Sequence, residues 1–126
     1  MRKTILSALV LAGLLSGCAA QPNRSADDAG AITMDHLVFE TDVRQIPVGE
    51  RITFSNSSSR AMHVLVVGKD AQPKSQAGAP NFGGASGHRS EVGDRWTTPP
   101  WTTSGTYWVT CTLHPSMNLK VVVSEY

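Results

Sequence analysis

Three side chains that bind soft metal ions follow one another closely near the end of this chain. The stretch 111–117 places Cys111, His114 and Met117 at successive steps of three residues, with Pro115 between the last two. A short turn with this spacing lets the thiol, the imidazole and the thioether converge on one point. Such a turn constrains the fold, because two rigid segments of the chain must meet at it.

A fourth candidate ligand, His63, lies well upstream in the apolar run 61–67. A thiolate, two imidazoles and a weakly bound thioether together make the ligand set of a blue-copper electron-transfer centre. Two plainer interpretations exist, since a lone histidine in an apolar strand is usually structural and Met117 could simply fill the core. Because the Cys/His/Met turn lies downstream, we expect His63 to be a ligand as well.

Short strand-like segments flank this turn and fill most of the rest of the chain. A strand is predicted at 106–111, where β-branched and aromatic residues follow a Ser-Gly turn, and the last strand is predicted at 119–124. Earlier runs at 32–40, 45–48, 51–56, 61–68 and 95–98 are also strand-like. This spacing predicts an all-β sandwich or barrel. Glycine and proline interrupt the segment 69–90, where we predict either a functional or mobile loop or a hidden short strand.

The first residues read as a targeting segment rather than as part of the fold. Arg2 and Lys3 precede an apolar run at 5–15 that is too short to span a bilayer. The ending Leu-Ser-Gly-Cys at 15–18 resembles the bacterial lipobox, although an ordinary signal cut after Ala20 would also fit. The lipobox resemblance implies a signal peptide at 1–17, a lipid on Cys18 and a tether at 18–31. Ala19 after the cysteine implies the outer membrane, on its periplasmic side.

Lipidation of Cys18 would leave the second cysteine, Cys111, without a disulfide partner. A single remaining cysteine in an exported protein needs an explanation, and metal ligation is the one its neighbours support. The chain has 11 Lys and Arg and 10 Asp and Glu, and two of the basic residues, Arg2 and Lys3, lie in the leader. Without the leader, the net charge is therefore about −1. This balance gives no reason to expect a nucleic-acid partner.

Two stretches of the chain resemble the cupredoxins, the family of small blue-copper proteins. Residues 105–111 are similar to the Gly-x-Tyr-x-x-x-Cys strand of that family, and 48–56 resemble its Gly-x-x-Val-x-Trp-x-Asn strand. The compact Cys-x-x-His-Pro-x-Met turn is most similar to that of the amicyanin members. The resemblance implies a Greek-key β-sandwich over residues 32–126 that binds one copper ion. It implies four copper ligands: His63, Cys111, His114 and Met117.

The sequence departs from the family pattern at two places. Val64 stands where many members have an asparagine whose hydrogen bonds brace the ligand turn. We therefore expect that brace to be missing and the rigidity of the turn to depend on other contacts. The stretch between His63 and Cys111 is also longer than in the amicyanins, which implies an added loop over the metal or against a partner.

The resemblance implies a lipid-anchored monomer that carries single electrons and is not an enzyme. Expected partners are redox proteins such as c-type cytochromes, oxidases or copper reductases, which would dock around a solvent-facing His114. Storage or delivery of copper through the same ligands is the alternative function. A third reading, with Cys111 as nucleophile and His114 as base, lacks an oxyanion-hole motif. Two further histidines, His36 and His88, are expected to be solvated.

Overall fold

The computed structural model describes residues 30–125, which form nine strands in two sheets. The strands are β1 (Ile32–Met34), β2 (Val43–Pro47), β3 (Thr53–Asn56), β4 (His63–Lys69), β5 (Gln72–Pro73), β6 (His88–Ser90), β7 (Arg95–Thr97), β8 (Gly105–Cys111) and β9 (His114–Ser124). The only helical turn in this range is a 3-10 turn, Gly84–Ser86. Residues 30–125 contain no helix long and apolar enough to cross a membrane. The predicted signal peptide, Cys18 and nearly all of the predicted tether lie outside the described residues.

The two sheets pack as a mixed β-sandwich. The smaller sheet has the order β1-β3-β7, and the larger has the order β2-β9-β8-β4-β5 with β6 also paired to β4. The pairs β1–β3 and β2–β9 are parallel, whereas the other pairs are antiparallel. The first four strands alternate between the two sheets, so their connections cross from one sheet to the other, as in Greek-key sandwiches. The all-β Greek-key sandwich expected from the sequence is therefore confirmed.

Strand alternation creates the core between the sheets. In β8, Tyr107, Val109 and Cys111 point inward and are buried, while Trp108 lies on the opposite face and is only half-buried. Such period-two burial is what a sheet with one covered face requires. The centre holds an aromatic cluster around the fully buried Trp101. Its members are Phe39, Phe54, Phe82, Trp96, Trp101 and Tyr107.

The segment 69–90 is folded onto the sandwich rather than projecting from it. It contains β5, the 3-10 turn and β6, so the hidden short strand considered from the sequence is present. Past the end of the β4–β8 pairing, the side-chain amide of Gln76 accepts from the Trp108 N–H at 2.9 Å and donates to its C=O at 3.0 Å. Phe82 inserts into the core with 3% of its surface exposed. This segment therefore completes the edge of the larger sheet.

The first predicted strand is shorter than the sequence pattern suggested. β1 ends at Met34, and the chain turns so that Phe39 pairs back with Met34 through an isolated bridge. Leu37 and Val38 in this turn are exposed, although their apolar character favours a strand. Composition alone does not reveal that the chain reverses direction between Met34 and Phe39, because the same apolar residues are compatible with a strand and with an exposed loop.

Candidate metal centre

The predicted ligand turn is a β-hairpin with a bulge in its second strand. Residues 112 and 113 form the turn, and His114 already begins β9 rather than lying in a loop. Cys111 pairs with His114, whereas the preceding Thr110 pairs with Asn118. Residues 115–117 therefore have no counterpart on β8 and form the bulge. Bulges redirect side chains next to functional sites, and this one brings His114 back over Cys111.

Three of the four predicted ligands meet at one place. The ligand atoms of His63, Cys111 and His114 all lie within 4.8 Å of one another. Nδ1 of His114 is 3.5 Å from the Cys111 sulfur. The rings of the two histidines have centroids 5.3 Å apart and are inclined by 69°. One ion placed among the three donors would therefore need only small side-chain adjustments to bind all of them.

Burial makes the histidine at the end of β4 unusual. His63 exposes none of its surface, and both of its ring nitrogens are buried without a hydrogen-bond partner. An unpartnered buried polar group costs about 1–3 kcal/mol, so proteins rarely retain one without a purpose. A metal bond to one nitrogen would satisfy it. Cys111 is likewise fully buried, whereas His114 is partly exposed at the surface end of the cluster.

The electrostatics of the cluster favour the neutral imidazoles that metals bind. The pKa of His63 is lowered first by burial and then by the neighbouring His114. The Asp35 main-chain carbonyl opposes this lowering but makes no hydrogen bond of normal geometry with the ring. The pKa of His114 is also lowered, by burial and then by His36. Both rings are thus held in the unprotonated form that donates a lone pair.

The missing asparagine brace is replaced by main-chain groups of Val64. Its N–H points at the Cys111 sulfur at 3.4 Å, and its C=O accepts from the Thr112 N–H at 2.9 Å. The β4 backbone therefore contacts the ligand sulfur and the start of the hairpin turn directly. The expectation that Val64 leaves the turn without a brace at this position is incomplete, because the backbone provides one whatever the side chain.

A buried asparagine on β3 fixes the segment that leads into His63. The Asn56 amide donates to the carbonyls of Ala61 and Ser90 at 2.9 and 3.1 Å. Its side-chain oxygen accepts from the Ser58 N–H at 3.1 Å. The side chain is 1% exposed, so these bonds form away from solvent. Asn56 thereby ties the loop before β4 to β6, which pairs with His63 through Ser90.

Met117 lies in the bulge and points into the protein, with 1% of its surface exposed. It belongs to the same buried cluster as Cys111. Its role as axial ligand stays a prediction. A buried cysteine sulfur, two unprotonated imidazoles and a buried thioether in the adjoining bulge fit one type 1 copper ion, because copper of this type takes a His₂Cys plane with a long axial methionine.

The structure also shows neighbours of the cluster that the sequence did not predict. His36 is exposed as expected, but its ring lies 6.4 Å from that of His114. The turn that carries it also presents Leu37 and Val38 to solvent. His88 was expected to be an exposed loop residue, yet it lies in β6 and stacks on Trp96 with ring centroids 3.9 Å apart. No spacing rule in the sequence links these residues, because only the fold brings them together.

Comparison with known proteins supports the architecture. No family model matches this chain, and no curated protein is significantly similar to it in sequence. Among solved structures, an amicyanin variant with Cu(I) is 23% identical with a TM-score of 0.58, covering 80% of this chain and 87% of that one. Amicyanin from Paracoccus versutus is 21% identical with a TM-score of 0.57, at 77% and 82% coverage.

A purple cupredoxin from Nitrosopumilus maritimus is 19% identical with a TM-score of 0.58 and covers 75% of this chain and 99% of that one. The similarity therefore extends over nearly the full length of proteins with this fold. At these identities the comparison establishes the fold alone. Residues 30–125 have the cupredoxin fold, as the resemblance of the sequence implied.

Proposed function

We propose that this chain is a one-copper electron carrier with His63, Cys111 and His114 as equatorial ligands and Met117 as the weak axial ligand. The observation that carries the proposal is the convergence of three donor atoms within 4.8 Å at a place where both nitrogens of His63 lack any other partner. A copper ion bound there would accept one electron as Cu(II) and release it as Cu(I).

The residues around the site suit a carrier that changes little between its two states. Cys111 ends β8 and His63 begins β4, and these two strands pair directly from Leu65–Cys111 onward. Ligands on paired strands cannot separate without breaking the sheet, so their geometry is held fixed during the redox change. His114, on the bulged strand, is the ligand that reaches the surface. An electron would therefore enter and leave along its ring.

The surface around His114 suits brief encounters with redox partners. Leu113 is 48% exposed, and Leu37 and Val38 from the β1 turn are 46% and 52% exposed. Pro115 and Ser116 beside His114 are exposed as well, and Met62 before His63 is half-buried. We propose that these residues line the docking area. Such small contacts give weak, short-lived complexes, which a shuttle needs. We propose c-type cytochromes, oxidases or copper reductases as partners, with the carrier itself a monomer.

The buried thiol supports a carrier over an enzyme. Cys111 exposes none of its surface, so no substrate could reach it as a nucleophile without opening the hairpin. A hydrolytic role for Cys111 with His114 as base would need such access.

Copper delivery is the competing function, and one titration separates it from electron transfer. A carrier should show an intense visible band near 600 nm that disappears and returns on one-electron reduction and reoxidation (a property the cupredoxin resemblance implies). It should also keep Cu(I) when a Cu(I) chelator is added in moderate excess. A colourless protein that binds only Cu(I) and surrenders it rapidly would overturn the carrier proposal and indicate delivery instead.

We extend the proposal to the N-terminus, where the lipobox-like ending supports a lipid on Cys18 and a location at the periplasmic side of the outer membrane. Several acyl chains on one cysteine would anchor the domain stably. Mass spectrometry of the exported chain tests this: we expect the mature chain to begin at Cys18 with acyl groups attached. A Cys18→Ser variant should carry no acyl groups. An unmodified Cys18 in the wild type would overturn the anchor.

A further inference from the structure

Thr110 occupies the outer face of β8 and yet is completely buried. Its neighbours Val109 and Cys111 point into the core, so Thr110 points away from it, as Trp108 does. A residue on this face is expected to meet solvent. Thr110 exposes none of its surface because the turn between β4 and β5 folds over it.

That turn has an unusual backbone for its sequence. Asp70 and Ala71 have φ values of 52° and 63°, which places two consecutive non-glycine residues in the left-handed region. This is the twist that two-residue hairpins require, but each such residue costs about 1–2 kcal/mol. Gly68 permits the tight return, because a Cβ there would lie 2.0 Å from the Gln72 carbonyl oxygen. Contacts made by the turn must offset the cost of its conformation.

Two sets of hydrogen bonds connect the turn to the ligand bulge. The Ala71 N–H donates to the Thr110 hydroxyl at 3.0 Å, and this hydroxyl donates to the Met117 carbonyl at 3.0 Å. Both roles of the hydroxyl are thus determined. Asp70 donates its N–H to the Asn118 side-chain oxygen at 2.8 Å. The Asn118 amide donates to the Asp70 carboxylate at 3.0 Å and to the Pro115 carbonyl at 3.3 Å.

These bonds reach the bulge where the regular ladder fails. The β8–β9 register shifts between Thr110 and Cys111, so residues 115–117 have no opposite partner. The side chains of Thr110 and Asn118 instead hold the carbonyls of Met117 and Pro115. The main chain of Met117 is thus fixed from the outer face of the sheet, opposite to the side on which the ligands converge.

We propose that Thr110 is a positioning residue for the axial thioether, acting through the Met117 carbonyl, with the β4–β5 turn as its support. The inference rests on the proposed copper function. The hydroxyl limits how far the Met117 main chain can move away from Cys111. Loss of the hydroxyl should therefore lengthen the axial contact, weaken the donor that helps set the potential, and raise the reduction potential.

The test compares Thr110→Val with Thr110→Ser in the full copper-loaded chain. Valine keeps the shape of threonine without the hydroxyl. We expect Thr110→Val to remain blue, with its potential and visible spectrum shifted in the same direction as in Met117→Leu but less far. The ratio of Cu(I) to Cu(II) affinity should change three- to tenfold, where tenfold corresponds to 59 mV for one electron. Thr110→Ser should restore the wild-type values.

Two further variants make the result specific. Thr106→Val on the same face of β8 removes an exposed hydroxyl and should leave the potential unchanged. Asn118→Ala removes the second clamp and should give a smaller upward shift, which keeps the test decisive if Thr110→Val does not fold. Wild-type potential and spectrum in both Thr110→Val and Asn118→Ala would overturn the proposal.

A metal-free readout separates this inference from the proposed function. In the copper-free chain, the methyl resonance of Met117 in ¹³C-methyl NMR should shift or broaden in Thr110→Val and not in Thr106→Val. A wild-type chain without the blue band would refute the electron-carrier function, and the methyl resonance would still decide whether Thr110 positions Met117. An unchanged resonance in Thr110→Val would overturn the positioning role.

Discussion

Cys111 and His63 are both fully buried, but their burial has different consequences. A buried thiol behaves as a small apolar group, whereas two unpartnered ring nitrogens in His63 reduce stability until something binds them. The predicted ligand types followed from sequence because only a few side chains bind soft metals. The Val64 main-chain brace could not be predicted in the same way, because every residue has a backbone and its placement depends on strand pairing.

Replacement of Cys111 by alanine should abolish the visible band and copper redox while the sandwich stays folded. The removed atom is the only sulfur among the three converging donors, and its loss from the core should lower the free energy of unfolding by about 1–2 kcal/mol. Absorption and circular dichroism of copper-treated protein measure both effects. Cys18→Ser, the other cysteine of the chain, is the matched control and should stay blue. Retained blue colour in Cys111→Ala would refute the ligand assignment.

The stability of the metal-free protein should depend on pH because of His63 and His114, the two histidines of the cluster. The pKa values of His63 and His114 in the folded protein lie below the ordinary 6.5. As pH falls through about 6.5, the unfolded chain therefore binds protons before the folded chain does, and stability declines until the lowered values are passed. Urea midpoints measured from about pH 8 to about pH 5 should fall accordingly.

His63→Leu is the control for that titration, since leucine fills the buried space and does not ionise. Its urea midpoint should vary less with pH than that of the wild type. A wild-type midpoint that stays constant or rises as the pH falls would contradict the assigned direction of the pKa shifts.

At the scale of elements, the strongest strands were predictable and the weakest were not. β8 and the second half of β9 are rich in β-branched residues, and both lie where the sequence placed them. β5 and β6 have two and three residues and exist because β4 offers them an edge. The bulge in β9 was equally hidden, since it arises from a register shift between two strands. Long-range pairing therefore decides the elements that local pattern leaves open.

The loop before β4 should depend on Asn56 for its conformation. Asn56→Ala leaves the carbonyls of Ala61 and Ser90 without their donor and the Ser58 N–H without its acceptor. We expect a loss of about 2–4 kcal/mol in the free energy of unfolding, measured by urea denaturation of the metal-free protein. Copper should also dissociate faster, because the loop leads directly into His63.

Asn81 offers a matched control for that substitution. It accepts hydrogen bonds from the N–H groups of Gly83 and Gly84 in an exposed turn. Because water can replace an exposed acceptor, Asn81→Ala should cost about 1 kcal/mol or less. Equal losses for the two asparagine variants would contradict the special role of the buried one.

At the scale of the molecule, the β-sandwich holds the proposed ligands in place, and its folding does not depend on a bound metal. The core is continuous between both sheets and includes Cys111 and Met117 as packed side chains. The strands that carry the proposed ligands, β4, β8 and β9, are central in the larger sheet. The resemblance of short sequence motifs to cupredoxins was sufficient to predict this architecture. Both motifs belong to strands of the sandwich, and the hairpin with the Cys/His/Met turn needs the two packed sheets to support it.

The metal-free chain should therefore be folded, and copper should only stabilise it. Circular dichroism of the chelated protein should show the β-sheet signal and a cooperative melt. At a free copper concentration of about 100 times the dissociation constant, copper binding should raise the free energy of unfolding by about 2.7 kcal/mol. This corresponds to an increase of about 10–20 °C in melting temperature for a domain of this size. A chelated protein without cooperative unfolding would contradict a preformed site.

X-ray absorption at the copper edge tests the central claim most directly, because it reports the atoms bound to the metal in the loaded wild-type protein. The account predicts one short copper–sulfur bond from Cys111 and two imidazole nitrogens from His63 and His114, with the cluster intact in both redox states. A first coordination sphere containing only nitrogen and oxygen, or one with a single imidazole, would contradict it.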